Sequence, residues 1–257
     1  MSSTWNPDLV TDELVDLTRR LGDPAKDLVI LAEGNTSQLL GDGRVVVKAS
    51  GVYMSDATRE DFVVTDVAPL VALIDDPATT QEDLTSALDA GEQGGTRRRG
   101  SIETLVHVAV QSVHPAAFVA HTHPTAVLGL LASVHAEEAF SEWVYSDEAV
   151  VIGIPLFVPY AAPGIALGVV FLERLRAYYA EHGELPSLIL LGNHGIVAIG
   201  GSASAVEAIT LMAVKGARTR VAARSIGGTA GLGADAVSHY FTRTDMAERR
   251  KAISGTA

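Results

Sequence analysis

Two histidines spaced one residue apart, His121 and His123, close the apolar run AAFVAHTH over residues 116–123. Side chains alternate faces along a strand, so in a strand both imidazoles project from one face, with Ala117 and Val119 behind them. Two imidazoles aimed at one point suit a borderline cation such as Zn²⁺, which takes imidazole nitrogen at about 2.0–2.1 Å. A catalytic zinc typically has three protein ligands and one open position, so the pair is one ligand short. His194 in LILLGNHG is the candidate third, because it too ends an apolar run and is followed by Gly195, which permits close backbone approach. An HxH pair serves equally well as two hydrogen-bonded core residues, so spacing alone leaves a metal site and a structural role both open. His114, His135, His182 and His239 fall in loops, helix ends or the tail and read as ordinary structural residues.

A carboxylate that could work beside such a cation is Glu103, in SIETLVHVAVQSV. Ile102, Leu105, Val106, Ala109, Val110 and Val113 recur with helical spacing, and Ser101 is placed to cap the helix they define. Glu103 and His107 are four apart and share a face away from the apolar stripe, with Glu103 in the first turn. The partial positive charge of a helix start favours a glutamate there in any helix, so this position alone does not mark a catalytic group.

These residues need a frame to bring them together. The opening reads as a helix, with Asn6 as cap, Pro7 at its first position, and Leu9, Val10, Leu14, Leu17 and Leu21 as its apolar stripe before Gly22. A glycine loop at Gly34, a turn at Gly41–Gly43 and the run Val45–Val47 predict two paired strands, and Phe62–Thr65 a further strand. A short helix around Leu84 and Leu88 and then a glycine-rich loop, GEQGGTRRRG, are expected before residue 100. Beyond it the spacing predicts strands at 116–123, 150–158, 188–191 and 196–199. Helices are expected at 125–133, at 165–181 ending near Gly183, and at about 203–224. This alternation implies an α/β protein, a sheet covered by helices on both faces.

At 257 residues the chain is long enough for one domain with a sizeable core. No stretch approaches the ~18 consecutive apolar residues of a membrane span, so no membrane partner is expected. Lys plus Arg number 19 against 31 Asp plus Glu, and the resulting net charge of −12 repels a polyanion, which argues against nucleic acid. The start lacks the basic and apolar regions of a secretory signal and there is no cysteine, so a cytoplasmic location is expected. The apolar fraction of 47% leaves room for surface buried between subunits.

Taken in order, GNTS (Gly34–Ser37), SG (Ser50, Gly51), SIETLVH (Ser101–His107), HTHP (His121–Pro124), PYAAPG (Pro159–Gly164) and NHG (Asn193–Gly195) resemble the class II aldolase/adducin family. The resemblance runs from about residue 9 to 224, and the ordered series is far more specific than any one piece. It implies a three-layer α/β/α fold with a central, largely antiparallel mixed sheet, assembled as a homotetramer. The whole chain then reads as one such domain, with residues 225–257 a loop and peripheral C-terminal helix.

The same resemblance implies a lyase in which His121, His123 and His194 bind Zn²⁺, with Mn²⁺ or Co²⁺ as alternatives, and Glu103 is the acid/base. The implied substrate is a sugar or sugar phosphate, and the reaction is reversible aldol cleavage of a short ketose or ketose phosphate through a metal-stabilised enediolate. Decarboxylation of a 3-oxo sugar acid phosphate, dehydration and 4-epimerisation share these ligands and remain alternatives, although the epimerase branch usually has aspartate where Glu103 stands. A non-catalytic adducin-like interaction domain is the alternative of another class. Asn35, Ser50, Gly51 and Ser101 match the family's substrate and phosphate loop, whereas Ala32 and Ile102 stand where hydroxyl donors are common, so a substrate without phosphate is also open. His107 either orients Glu103 or a ligand or has a structural role, and Tyr145 is a candidate proton donor to a neighbouring subunit's site.

Overall fold

Runs rich in valine, isoleucine and leucine, bounded by glycine turns, form the strands of the computed structural model, which describes residues 2–241, 243–246 and 248. In chain order the strands are Ser3–Thr4 (β1), Asn35–Leu39 (β2), Arg44–Lys48 (β3), Phe62–Asp66 (β4), Asp89–Gln93 (β5), Thr96–Arg99 (β6), Phe118–Thr122 (β7), Leu156–Val158 (β8), Leu188–Leu191 (β9) and Gly195–Gly200 (β10). The helices are Asp12–Leu21 (α1), Val67–Asp75 (α2), Gln81–Ala87 (α3), Thr104–Val113 (α4), Thr125–Leu131 (α5), Ser146–Ile152 (α6), Ile165–His182 (α7), Ala203–Ser225 (α8) and Ala234–Phe241 (α9). The remainder of the expected tail, residues 242, 247 and 249–257, lies outside the described residues, as does the side chain of His239.

Eight strands make one sheet in the order β1-β4-β3-β2-β7-β10-β9-β8, antiparallel throughout except for the parallel pair β8 and β9. Alternation along each strand divides the core in two. Phe118 and Ala120 of β7, with Ile196 and Ala198 of β10, face α1, α5, α6 and α8. Val119, Val197 and Ile199 point the other way, to α2, α3, α4 and α7. This is the expected three-layer arrangement. Leu14, Leu17 and Leu21 of α1 are completely buried, each contributing about 1.5–3 kcal/mol of burial.

Four local expectations are corrected. Asn6 caps only a short 3₁₀ turn at Pro7–Leu9, and α1 begins after Thr11, whose hydroxyl accepts the Leu14 N–H. The run at 150–158 is split: Val150, Val151 and Ile152 finish α6, Gly153 at φ +66° stops the helix, and only Leu156–Val158 are strand. A short β-branched run suits either structure, and here the acidic first turn of α6 and the buried partner of Glu148 decide for helix. GEQGGTRRRG is no loose loop but the hairpin β5–β6, turning through Gly94 and Gly95 with φ of +58° and +79°. Positive φ at both central residues is what a type I′ hairpin turn requires and glycine allows. Finally, α4 starts at Thr104, so Glu103 occupies its N-cap position and not its first turn.

Candidate metal centre

His121 is the penultimate residue of β7, on the face shared with Val119, so it points towards α4 and is fully buried. His123 lies just past the strand end, where its N–H bonds the Leu28 carbonyl. His194 sits in the tight connection between β9 and β10, made possible by the left-handed backbone of Asn193 at φ +52°. The three rings surround one point, with centroid separations of 4.7, 4.9 and 5.1 Å. Glu103 completes the cluster: Oε1 is 2.9 Å from His194 Nε2 and Oε2 is 3.4 Å from His121 Nε2.

The donor set fits a divalent cation. One ligand atom from each of Glu103, His121, His123 and His194 lies within 4.8 Å of the other three, so all four converge on one point. His121 Nδ1 donates to the Ile196 carbonyl at 2.9 Å, which in the neutral ring leaves Nε2 as a bare lone pair. That nitrogen lies 2.9 Å from His123 Nε2. Two imidazole nitrogens turned towards each other beside a carboxylate are the arrangement a shared cation satisfies. His194 Nδ1 is buried without a hydrogen-bond partner among the described residues, a second sign that this ring's surroundings are incomplete in the protein alone.

Electrostatics of the cluster follow from burial and contact. Burial pushes the Glu103 carboxyl up, but His121 and then His194 outweigh it and hold the group well below the usual carboxylate range. Burial pushes His121 down, and the Glu103 carboxylate reverses this and raises it. His123 falls to about 3, through burial first and then the charge of His121. His107 likewise falls to about 3, again mainly through burial, and stays neutral.

Around the cluster, Asn35 Nδ2 donates to Glu103 Oε2 at 3.1 Å, and the Asn35 carbonyl oxygen contacts His107 Nε2. Ser101 Oγ accepts the Glu103 N–H at 3.3 Å. Ser50 and Gly51 lie on an exposed turn after β3, held to the segment leading to Ser101 by the Ser50 N–H bond to the Arg99 carbonyl. Ile102 packs against the apolar cluster of the α4 face. Tyr145 is apart from the cluster within this chain: its hydroxyl reaches Met212 and its ring lies under the Lys215 ammonium. Arg97 and Arg98 pair with Asp89 and Asp61.

Two neighbours of the site went unnoticed in the sequence. Glu33 Oε2 lies 3.5 Å from His123 Nδ1 while accepting the Ile30 N–H at 3.0 Å. Its place one residue before Gly34 was the available signal. Lys48 is buried, donates to the Ala49 and Val52 carbonyls, and is lowered to about 8 by burial against the opposing pull of Asp61 and Glu103. Its position two residues before Ser50 was the corresponding signal.

Among solved structures, the chain resembles the N-terminal class II aldolase domain of a conserved protein from Thermoplasma acidophilum. That match has TM-score 0.64 and 22% identity, covering 82% of this chain and 92% of that one. It also resembles YgbL from Klebsiella pneumoniae, described as a putative aldolase/epimerase/decarboxylase, at TM-score 0.63 and 20% identity, covering 91% and 98%. L-fuculose-1-phosphate aldolase from Thermus thermophilus matches at TM-score 0.59 and 17% identity, covering 86% and 100%. At these identities the likeness shows the shared fold. No curated protein matches the chain. Residues 12–221 match the family described as "Class II Aldolase and Adducin N-terminal domain". With that match spanning well over half of its length, this chain belongs to the class II aldolase and adducin family.

Proposed function

We propose that the chain is a metal-dependent lyase of the class II aldolase type, making and breaking a carbon–carbon bond in a short ketose or ketose phosphate. The observation that carries this reading is the convergence of three imidazoles, from β7, the segment after it and the β9–β10 connection, on the Glu103 carboxylate. His121, His123 and His194 are the ligands. They would hold a divalent cation, with Zn²⁺ favoured by the imidazole set and Mn²⁺ or Co²⁺ as substitutes, which would supply Lewis-acid stabilisation of negative charge on the substrate's oxygens.

Glu103 is the acid/base. Its carboxylate, 13% exposed and held by Asn35 and His194, takes a proton from the carbon next to the ketone in the aldol direction. In the cleavage direction it returns that proton to the same carbon. Ser50, Gly51 and Ser101 would receive the far end of the substrate. Ala32 and Ile102 offer no hydroxyl, which supports a substrate that carries no phosphate. Tyr145 stays protonated, raised to about 12 by burial and then by Glu148 and Asp147, as a proton donor to a neighbouring subunit's site would have to. A cytoplasmic homotetramer is the assembly this reading expects. No helix among the described residues is long and apolar enough to cross a membrane.

The test is metal analysis of the purified protein joined to a screen of aldehydes against dihydroxyacetone, its phosphate and pyruvate, with products identified by NMR. Stoichiometric metal and a new carbon–carbon bond are expected. Carbon dioxide release, dehydration or epimerisation without bond formation would replace the aldolase reading, and a metal-free protein without product would mark an interaction domain.

A further inference from the structure

Behind Glu103 runs a buried series of hydrogen bonds that aldol chemistry does not itself require. Asn35 and Ser37 are two apart on β2, so they share the face towards α4, while Thr36 between them points the opposite way to Thr18. Residues i and i+2 of a strand are separated by about 6.8 Å. The imidazole of His107, one turn along α4 from Glu103, bridges that gap. Its Nδ1 is 2.7 Å from Ser37 Oγ and its Nε2 meets Asn35 Oδ1. Ser37 and His107 are fully buried and Asn35 almost so.

The donors and acceptors along this series allow one assignment. An ionised carboxylate only accepts, so Asn35 must turn its NH₂ to Glu103 Oε2 and its carbonyl oxygen to His107. That oxygen also only accepts, so His107 Nε2 must carry the ring proton. A neutral ring then has a bare Nδ1, and the Ser37 hydroxyl must donate to it.

We propose that Ser37 and His107 are positioning residues that fix the Nε2–H tautomer of His107 and thereby the amide orientation of Asn35, which in turn aims the Glu103 carboxylate at the reacting carbon. Loss of the Ser37 hydroxyl removes the partner of Nδ1 and frees the ring to take the other tautomer. With Nε2 unprotonated, two acceptors face each other, and the amide can relieve this only by turning its own oxygen towards Glu103. The Asn35 donor is thus committed to Glu103 instead of to substrate.

The inference rests on the aldolase reading for its consequence, not for its geometry. The test compares wild type with Ser37→Ala and Ser37→Thr, each zinc-loaded and metal-free. Long-range ¹⁵N–¹H NMR reads the His107 ring, whose signals are assigned by their loss in His107→Asn. The expected result is an Nε2–H ring in wild type and Ser37→Thr and a mixed or Nδ1–H ring in Ser37→Ala. In Ser37→Ala, kcat should fall roughly tenfold while KM and zinc affinity hold, with recovery in Ser37→Thr. An Nδ1–H ring in wild type overturns the proposal, as does a switched ring with unchanged kcat. If no substrate turns over, the aldolase reading fails separately, and an unaltered His107 ring in Ser37→Ala still overturns this one.

Discussion

Asn35 on β2 is the register partner of His121 on β7, so an amide and a candidate ligand sit side by side at the same end of the sheet. Glu103 lies across both, with Oε2 3.1 Å from Asn35 Nδ2 and 3.4 Å from His121 Nε2. Its position depends on two strands and one helix start, and the chemistry assigned to it can be separated from the metal site by substitution.

Glu103→Gln keeps the shape of the side chain and an oxygen for one neighbour but cannot take a proton. Metal content measured by elemental analysis should persist while turnover falls by about 10²–10⁴-fold. Full activity in this variant would remove Glu103 from the acid/base role.

His121→Ala and His194→Ala each delete one of the three proposed nitrogen ligands, leaving too few for tight binding. Both variants should purify without metal. A chelator should silence wild type, and added Zn²⁺, Mn²⁺ or Co²⁺ should restore it, read by activity and by thermal stabilisation on loading.

Gly195 is a position beside the cluster where the fold has no room for a side chain. A Cβ there would stand 2.5 Å from the Thr122 carbonyl and 2.6 Å from the His123 ring. Gly195→Ala should therefore displace His123 and weaken zinc binding by about 10–100-fold in a competition titration, the scale of lost ligand orientation. Unchanged affinity would show that His123 is not held against this connection.

Lys48 has a folded-state pKa of about 8 against an ordinary value of 10.5. Burial disfavours its charge, so between those two values the unfolded chain binds more protons than the folded one. Stability contributed by this residue must then rise with pH from about 8 to 10.5. Relative to Lys48→Met, wild type should gain on the order of 3 kcal/mol across that window in denaturant titrations. A flat difference would contradict the depressed pKa.

Arg220 and Glu148 form a buried pair joining α8 to α6, with the guanidinium also donating to the Glu142 carbonyl and stacking over Phe140. Removing one partner strands the other charge without water. Glu148→Ala should cost about 3–5 kcal/mol by chemical denaturation, and the double replacement Glu148→Ala with Arg220→Met should recover part of it.

Much of the frame was legible because periodicity reports burial directly. The run ending in His121, the strands around NHG and the helix closed by Gly183 at φ +73° all carry one dominant pattern. The segment at 150–158 was misread because three β-branched or aliphatic residues before a glycine fit both periods, and the deciding contact, Arg220, lies 72 residues from Glu148. GEQGGTRRRG reads as a loop from its glycine content, which does not by itself show that Gly94 and Gly95 form the turn of a hairpin.

The sequence by itself determined which side chains could serve: an HxH pair on one strand face, an NHG after an apolar run, and a glutamate at a helix start. Local spacing is sufficient for that, since a strand's alternation and a helix's turn are set within a few residues. Only the tertiary structure decided that they meet. The approach of His121, His194 and Glu103 depends on the antiparallel pairing of β7 with β10 and on α4 lying across β2 and β7. The hydrogen bonds from Ser37 through His107 and Asn35 to Glu103 join residues about 70 positions apart, where no local pattern in the chain records the contact.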